Sequence, residues 1–285
     1  VISELAYSEL SDLEKQKLDL ILKPFEQQLS HFEKQSLKKQ PYRLSLLAKT
    51  SVLPDLWSRE SFSHLCARLK IPAIPLPAAL LQGNMGPWHY EDTPYFSNRE
   101  QPSDAQAVGM LSTIIPALES EYKNLKRNHN HHEHITRGLL IVFLAHLVAD
   151  AHQPLHGLSR ISNGVSDQGG NRFCLRKKRH QCQLNLHAYW DRGGFWLKEK
   201  HSVPEAVGVL KHHYSQQNTA TVLAIQDPKA WLQEDYAFAH FVYSTRENRM
   251  PTRDYQEKTQ DIAQKRLAMA GYRLAALLKE LLHAH

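Results

Sequence analysis

The stretch Gly138-Leu139-Leu140-Ile141-Val142-Phe143-Leu144-Ala145-His146-Leu147-Val148-Ala149-Asp150, continuing as Ala151-His152-Gln153-Pro154-Leu155-His156, decides how this chain is read. Its apolar run is shorter than the ~18 residues a membrane span needs and is broken by His146, so it reads as a helix buried in a core. On a helix, His146 and Asp150 lie four positions apart and project side by side from one face. A carboxylate set among Leu140, Phe143, Leu147 and Val148 is costly unless it is paired or binds a metal. Pro154 stops the helix, and the turn behind it brings His156 round to face Asp150.

Outward from there, His187-Ala188-Tyr189-Trp190-Asp191 repeats the same His/Asp spacing among aromatics. One such pair is an ordinary helix salt bridge. Two of them, with a histidine returning after a proline stop, point to a metal centre. Ligands that are His and Asp without Cys suit Zn²⁺ in a catalytic setting. Pro87-Trp88-His89-Tyr90-Glu91-Asp92 offers His89 as a further ligand; Trp88 and Tyr90 are either core residues or a wall against which a flat group stacks. Asp55, behind Pro54, is the remaining candidate, although by itself it reads as a plain loop carboxylate.

The composition agrees with a folded, helix-rich chain. Of 285 residues, 42% are apolar and 22% charged, with a formal net charge of +6 and 18 histidines, more than either proline or glycine. Three cysteines exclude a disulfide scaffold and a multi-cysteine zinc finger. Cys174 and Cys182 flank a basic turn, a spacing that suits a disulfide at a hairpin tip and hence an oxidising compartment; Cys66 reads as a buried thiol.

A capping box at Ser11 and Glu14 opens a helix bearing Leu18, Ile21 and Leu22 that is expected to stop at Pro24. Further helical patterns cover Tyr42–Val52, Ala105–Tyr122, Ile135–Ala151, Trp231–Tyr243 and the chain from Asp261 onward. The proline-rich Ile71–Pro87 reads as an ordered loop, and His129–His134 as a solvated one. Gly169–Leu175 and Cys182–Leu186 read as two short strands. No repeat or linker divides the chain, so residues 1–285 are expected to form a single all-α domain with a small β-hairpin. No hydrophobic leader opens the sequence: Val1-Ile2-Ser3-Glu4 is already charged and helix-like, so the protein is either cytosolic or has lost a leader.

These pieces, in this order, resemble the zinc-dependent S1/P1 nuclease family, whose fold is shared with bacterial zinc phospholipase C. The resemblance rests on Asp55, Trp88-His89-Tyr90, His146-x-x-x-Asp150-x-His152-Gln153-Pro154-Leu155-His156, Gly169-Gly170-Asn171, Asn185-Leu186-His187-x-x-Trp190-Asp191, and Ala270-Gly271-Tyr272-Arg273. It covers nearly the whole chain, and the HxxxDxHQPLH and NLHxxWD strings are highly specific.

The resemblance implies a phospholipase C/P1 nuclease-like fold and three zinc ions. Asp55, His89, His146 and Asp150 would hold one; His156, His187 and Asp191 a second; Asp150 would bridge to a third. In the family an N-terminal Trp and a following His complete that third site. Val1–Tyr7 resembles the segment after them, so the expectation is a chain that lacks its first residues and follows a cleaved signal peptide. The implied activity is hydrolysis of single-stranded DNA and RNA to 5′-phosphate products, with 3′-nucleotidase activity on nucleotides. Asp55 would orient the attacking water, Tyr90 would stack on a base, and Asp92 and Asn171 would meet its polar edge; His152 matches a position that is not a ligand. The implied protein is secreted or periplasmic, monomeric and without stable membrane association. The alternatives are a zinc phospholipase C, disfavoured because Asp191 stands where phospholipases use Glu, and a non-catalytic zinc- or nucleic-acid-binding protein if the third site is absent.

Overall fold

Serine N-caps start helices where the sequence places them. Ser11 accepts from the Glu14 backbone N–H while the Glu14 carboxylate accepts from the Ser11 N–H, and Ser30 with Glu33 repeats this reciprocal cap. The computed structural model describes residues 1–39, 43–96, 106–125, 131–199, 202–215 and 223–283. It is mainly helical, as expected. The chain gathers into two compact units, each assembled from separated stretches: Val1–Trp88, Thr113–Ala149 and Ala270–His285 form the first, and His89–Ser112 with Asp150–Met269 form the second.

The first unit is built of helices around an aromatic cluster. Phe62, Trp88 and Phe143 meet with ring centroids 5.0 to 5.8 Å apart, and Trp57 joins them at 5.7 Å from Phe143. Phe143 belongs to helix His131–Asp150, whose residues Leu139–Ala145 are all 0% exposed, which explains an apolar run with no polar side until His146. Gly138 permits this packing: a β-carbon there would stand only 2.5 Å from the Phe25 side chain. Helix Asp12–Gln28 does not stop at Pro24 but runs through it. Proline removes one backbone hydrogen bond, and the burial of Phe25 against Trp57 holds the last turn in place. The Ile71–Pro87 segment is the expected loop, pinned by buried Ile71, Ile74, Leu76 and Met85 and closed by two short 3₁₀ turns. Cys66 is a free, buried thiol, as expected.

The second unit carries more β-structure than expected. Strands β1 (Glu91–Phe96), β2 (Val108–Gly109), β3 (Leu158–Ser162) and β4 (Val165–Ser166) form one sheet in the order β2-β1-β3-β4, with β1 and β3 parallel. Strand β2 pairs with β1 at Glu91 and Asp92, so among the described residues one side of β1 has no strand partner at Pro94, where a residue without an N–H is tolerated. The helix expected from Ala105 therefore begins only at Leu111, and Ala105 itself lies outside the described residues. The expected hairpin is present as β5 (Cys174–Lys178) and β6 (Gln181–Asn185), joined by the Cys174–Cys182 disulfide. Gly169 and Gly170, expected in the first strand, form a turn instead, with φ of +59° and +77°. Beneath the hairpin, Phe173, Leu184, Leu186, Tyr189, Trp190 and Tyr255 make a second core. The last helix starts earlier than its apolar period suggested and spans Arg253–His283. Residues 129 and 130 of the polyhistidine run lie outside the described residues, and the rest of it opens helix His131–Asp150.

Candidate functional site

In the second unit the candidate ligands converge through local capping chemistry. Asp150 is the last residue of its helix, and Gln153 caps the next turn, accepting from the Leu155 N–H at 2.6 Å while Pro154 occupies the first helical position. That turn carries His156. On the other side of the hairpin, the Asn185 side chain accepts from the Ala188 N–H and starts helix Leu186–Asp191, which bears His187 and Asp191 on one face. The imidazoles of His156 and His187 lie 4.8 Å apart, and the Nε2 atom of each is 3.7 Å from Asp191 Oδ1. The amide of Gln153 donates to the same carboxylate oxygen at 2.8 Å.

Both rings are oriented from behind. His156 Nδ1 is 2.6 Å from the His89 carbonyl oxygen, and His187 Nδ1 is 2.8 Å from that of Gly169. A carbonyl only accepts, so Nδ1 carries the proton, and in the neutral ring the Nε2 lone pair is left aimed at a carboxylate. Two acceptors facing each other repel unless a proton on Nε2 or a metal cation stands between them. This donor set therefore fits a divalent metal of nitrogen and oxygen preference such as zinc. His156, His187 and Asp191 satisfy the spacing of a metal-binding group, each offering one ligand atom within 4.8 Å of the others. Beside them, His89 Nδ1 is 3.0 Å from Asp150 Oδ2, and Asp150 Oδ1 is 3.7 Å from His156 Nδ1.

Without a cation the cluster distributes charge unevenly. Burial would lower the pKa of His156, but the Asp150 and Asp191 carboxylates and the His89 carbonyl outweigh it and push it up to about 9. Burial and the neighbouring His156 charge lower the pKa of His187. Burial opposes ionisation of Asp191, yet its interactions with His156 and His187 hold it below the usual carboxylate range.

In the first unit the same device recurs at His146. His146 Nδ1 is 2.7 Å from the Ser51 carbonyl oxygen, and its Nε2 is 3.4 Å from Asp55 Oδ1. The short helix Leu53–Trp57, opened by Pro54 and anchored by buried Leu53 and Trp57, presents Asp55 to His146 while leaving its side chain 70% exposed.

The second unit also encloses a cavity of about 590 Å³, walled by His89, Tyr90, Asp92, Leu155, His156, Asn171 and His187 among others. Its size suits a nucleotide-scale ligand. Asp92, on β1, has its pKa pushed up to about 7 by burial and by the Asp167 charge, against the opposing pull of His156. It therefore divides between acid and carboxylate near neutrality and can both donate and accept. Tyr90 is half-buried at the rim. Asn171 is exposed and tied to the hairpin base, its carbonyl accepting from the Asn185 amide at 3.2 Å. Trp88 resolves to the core reading, since it is 1% exposed.

His152 is buried with its ring 5.0 Å from that of Trp231, in keeping with a position that is not a ligand. Three residues behind the site carried no signal in the sequence. Asp167 Oδ1 accepts from the Arg160 and Gly170 N–H groups and from the hydroxyls of Ser159 and Tyr243, and Ser159 Oγ accepts from the Gly169 N–H. This network fixes the Gly169 carbonyl that orients His187. The third is Gln153, whose place in the HQPLH string gives no hint that it holds Asp191. At Gly169 a β-carbon would collide with the Leu155 carbonyl, so the left-handed turn there needs glycine.

A sequence model of the S1/P1 nuclease family matches residues 2–283. The chain is similar to three Arabidopsis thaliana proteins. It is 31% identical to Endonuclease 3 over 36% of this chain and 33% of that protein. It is 26% identical to Endonuclease 1 over 48% of each, and 26% identical to Endonuclease 4 over 68% of this chain and 70% of that protein. The chain thus spans between a third and a half of the length of the first two.

Proposed function

From the premise that this chain belongs to the S1/P1 nuclease family, we propose that it is a zinc-dependent phosphodiesterase. It hydrolyses single-stranded DNA and RNA to 5′-phosphate products and also acts as a 3′-nucleotidase. The observation that carries the reading is the pair of imidazoles, His156 and His187, each held by a backbone carbonyl at Nδ1 and aimed with Nε2 at one oxygen of Asp191.

The residues that would hold zinc are Asp55, His89, His146, Asp150, His156, His187 and Asp191. When bound, zinc supplies positive charge to the phosphoryl oxygens and the leaving oxygen, and a water acidic enough to attack near neutral pH. The chain's own contribution is position. The Gly169 and His89 carbonyls hold two imidazoles at fixed angle, and Gln153 holds the Asp191 carboxylate. Asp55, exposed beside His146, orients the attacking water in line with the phosphorus. The Tyr90 ring supplies a stacking face that accepts any base, which fits low sequence preference and a single-stranded substrate. Asp92 and Asn171 offer hydrogen bonds to the base edge.

The disulfide fits secretion or a periplasmic location. Among the described residues no helix is long and apolar enough to cross a membrane. The proposed protein acts as a monomer on single-stranded nucleic acid and nucleotides. The test is zinc content measured together with hydrolysis of single-stranded DNA, 3′-AMP and phosphatidylcholine, with and without chelator. Chelator-sensitive cleavage of the first two is expected. Full zinc occupancy without cleavage of any substrate would overturn the enzyme reading, and preference for phosphatidylcholine would overturn the nuclease one.

A further inference from the structure

Between Asn171 and His187, both of which wall the cavity, the chain leaves the pocket, runs out along β5, turns, and returns along β6. This excursion contains five lysines and arginines (Arg172, Arg176, Lys177, Lys178 and Arg179) and no aspartate or glutamate. All five are exposed, as is His180 at the tip. None of the five makes an ion pair with a described residue. Other cations of the same unit are neutralised locally: Arg160 by Glu247, Arg253 by Glu257, and Arg266 by Glu234 and Asp235.

The backbone reinforces the pattern. Lys178 pairs with Gln181, so Arg179 and His180 form a two-residue turn, with φ of +48° and +66°. Such a turn favours Asn-Gly, because side chains with a β-carbon are strained there. Two bulky side chains at these positions cost stability, so local backbone preference does not account for the residues at the tip. Cys174 and Cys182 lock the two strands together, so the charges sit on a stiff ribbon. Five residues of strand at ~3.3 Å each carry them about 16 Å along β5.

We propose that the β5–β6 hairpin is a polyanion arm, whose Arg176, Lys177, Lys178 and Arg179 bind phosphates of a single-stranded nucleic acid flanking the nucleotide seated in the Asn171–His187 cavity. This rests on the nuclease reading above. The arm acts on chain-length preference and salt dependence, since a mononucleotide confined to the cavity does not reach it. A membrane surface is the weaker fit for the same charges, because the hairpin exposes no large apolar side chain to enter a lipid interface.

The test is the variant with Arg176, Lys177, Lys178 and Arg179 all changed to Gln, compared with wild type on 3′-AMP and on a 12-nucleotide single-stranded DNA at 50 and 200 mM salt. Counterion release from single strands makes the salt slope shallower by about 0.7 for each phosphate that the protein no longer neutralises. With four phosphates engaged by the arm, wild type should lose roughly 50-fold more oligonucleotide affinity than the variant over that salt range, with kcat/KM for 3′-AMP unchanged. Equal salt slopes for the two proteins would overturn the arm. So would an equal fall on both substrates, or loss of binding to phosphatidylserine vesicles with oligonucleotide cleavage intact. Thermal unfolding and a thiol titration verify that the variant keeps its fold and its disulfide. If wild type cleaves neither substrate, the nuclease reading fails on its own. Fluorescence anisotropy of the labelled oligonucleotide in chelator then still decides the arm, by whether the variant loses the salt-dependent binding of wild type.

Discussion

Two carboxylates of the second unit are partnered in opposite ways. Asp235 is 0% exposed and lies 2.8 Å from Nε of Arg266, whose guanidinium also reaches Glu234 and donates to the Trp231 carbonyl. Among the described residues Asp191 meets side chains that can change state or be displaced: two imidazoles and an amide. An arginine stays charged and cannot act as a ligand, so the Asp235 cluster is closed and holds the fold. An imidazole can shed its proton and offer a lone pair, so the Asp191 cluster is open to a metal. The two also differ in exposure, with Asp235 fully buried and the Asp191 side chain 44% exposed, but it is the identity of the partners that leaves one cluster closed and the other open to a ligand.

The sharpest way to break the comparison is Arg266→Met. It leaves Asp235 buried without its counter-charge, and losses of this kind cost about 3–5 kcal/mol. Burial already pushes Asp235 up to about 7 even with Arg266 present, so without it the carboxyl protonates more readily still. Because a raised folded pKa gives stability that is lost as pH rises, the variant should be least stable at alkaline pH, and urea unfolding at pH 5 and pH 8 would reveal a uniform loss if this is wrong.

Asp191→Asn tests the other cluster. It should abolish zinc binding at His156 and His187 and reduce phosphodiester hydrolysis by more than the roughly 10–100-fold typical of residues behind a ligand. The metal-free protein should lose less melting temperature than Arg266→Met does, because the imidazoles left behind can shed their protons whereas a buried carboxylate without its arginine cannot be re-paired. A large drop in chelator-treated stability would show Asp191 to be structural like Asp235. Gln153→Ala removes the hydrogen bond that orients Asp191, and zinc affinity measured by competition should weaken by about 10-fold.

The smallest effect concerns Asp92. Its raised folded pKa makes its contribution to stability complete below about pH 4 and progressively lost as pH climbs to about 7. Asp92→Asn should therefore gain stability relative to wild type across that window and show a constant difference above it. A pH-independent difference in thermal unfolding would mean that Asp92 titrates normally.

Much of the candidate site was legible as sequence because it is built from local spacings. His146 and Asp150, and His187 and Asp191, are each one helical turn apart, and Pro154 sets the turn that carries His156. The hairpin was equally local, since two strands, a basic turn and two cysteines are contiguous. The four-stranded sheet was not. Glu91-Asp92-Thr93-Pro94 has poor strand propensity, and its partner Leu158–Ser162 is remote in sequence, so only tertiary pairing makes it a strand. Pro24 misled for a related reason: a helix stop is a local rule, and the packing of Phe25 overrides it.

The sequence by itself therefore determined the helical class and the pairing of the candidate His and Asp residues within each helix, because helix geometry converts spacing into adjacency. Only the tertiary structure decided that the Gly169 and His89 carbonyls, from distant segments, orient the two imidazoles, and that Asp167 holds the turn behind them. It alone decided that the basic ribbon springs from the cavity wall. These are meetings between residues whose separation along the chain carries no period, and no local rule announces them.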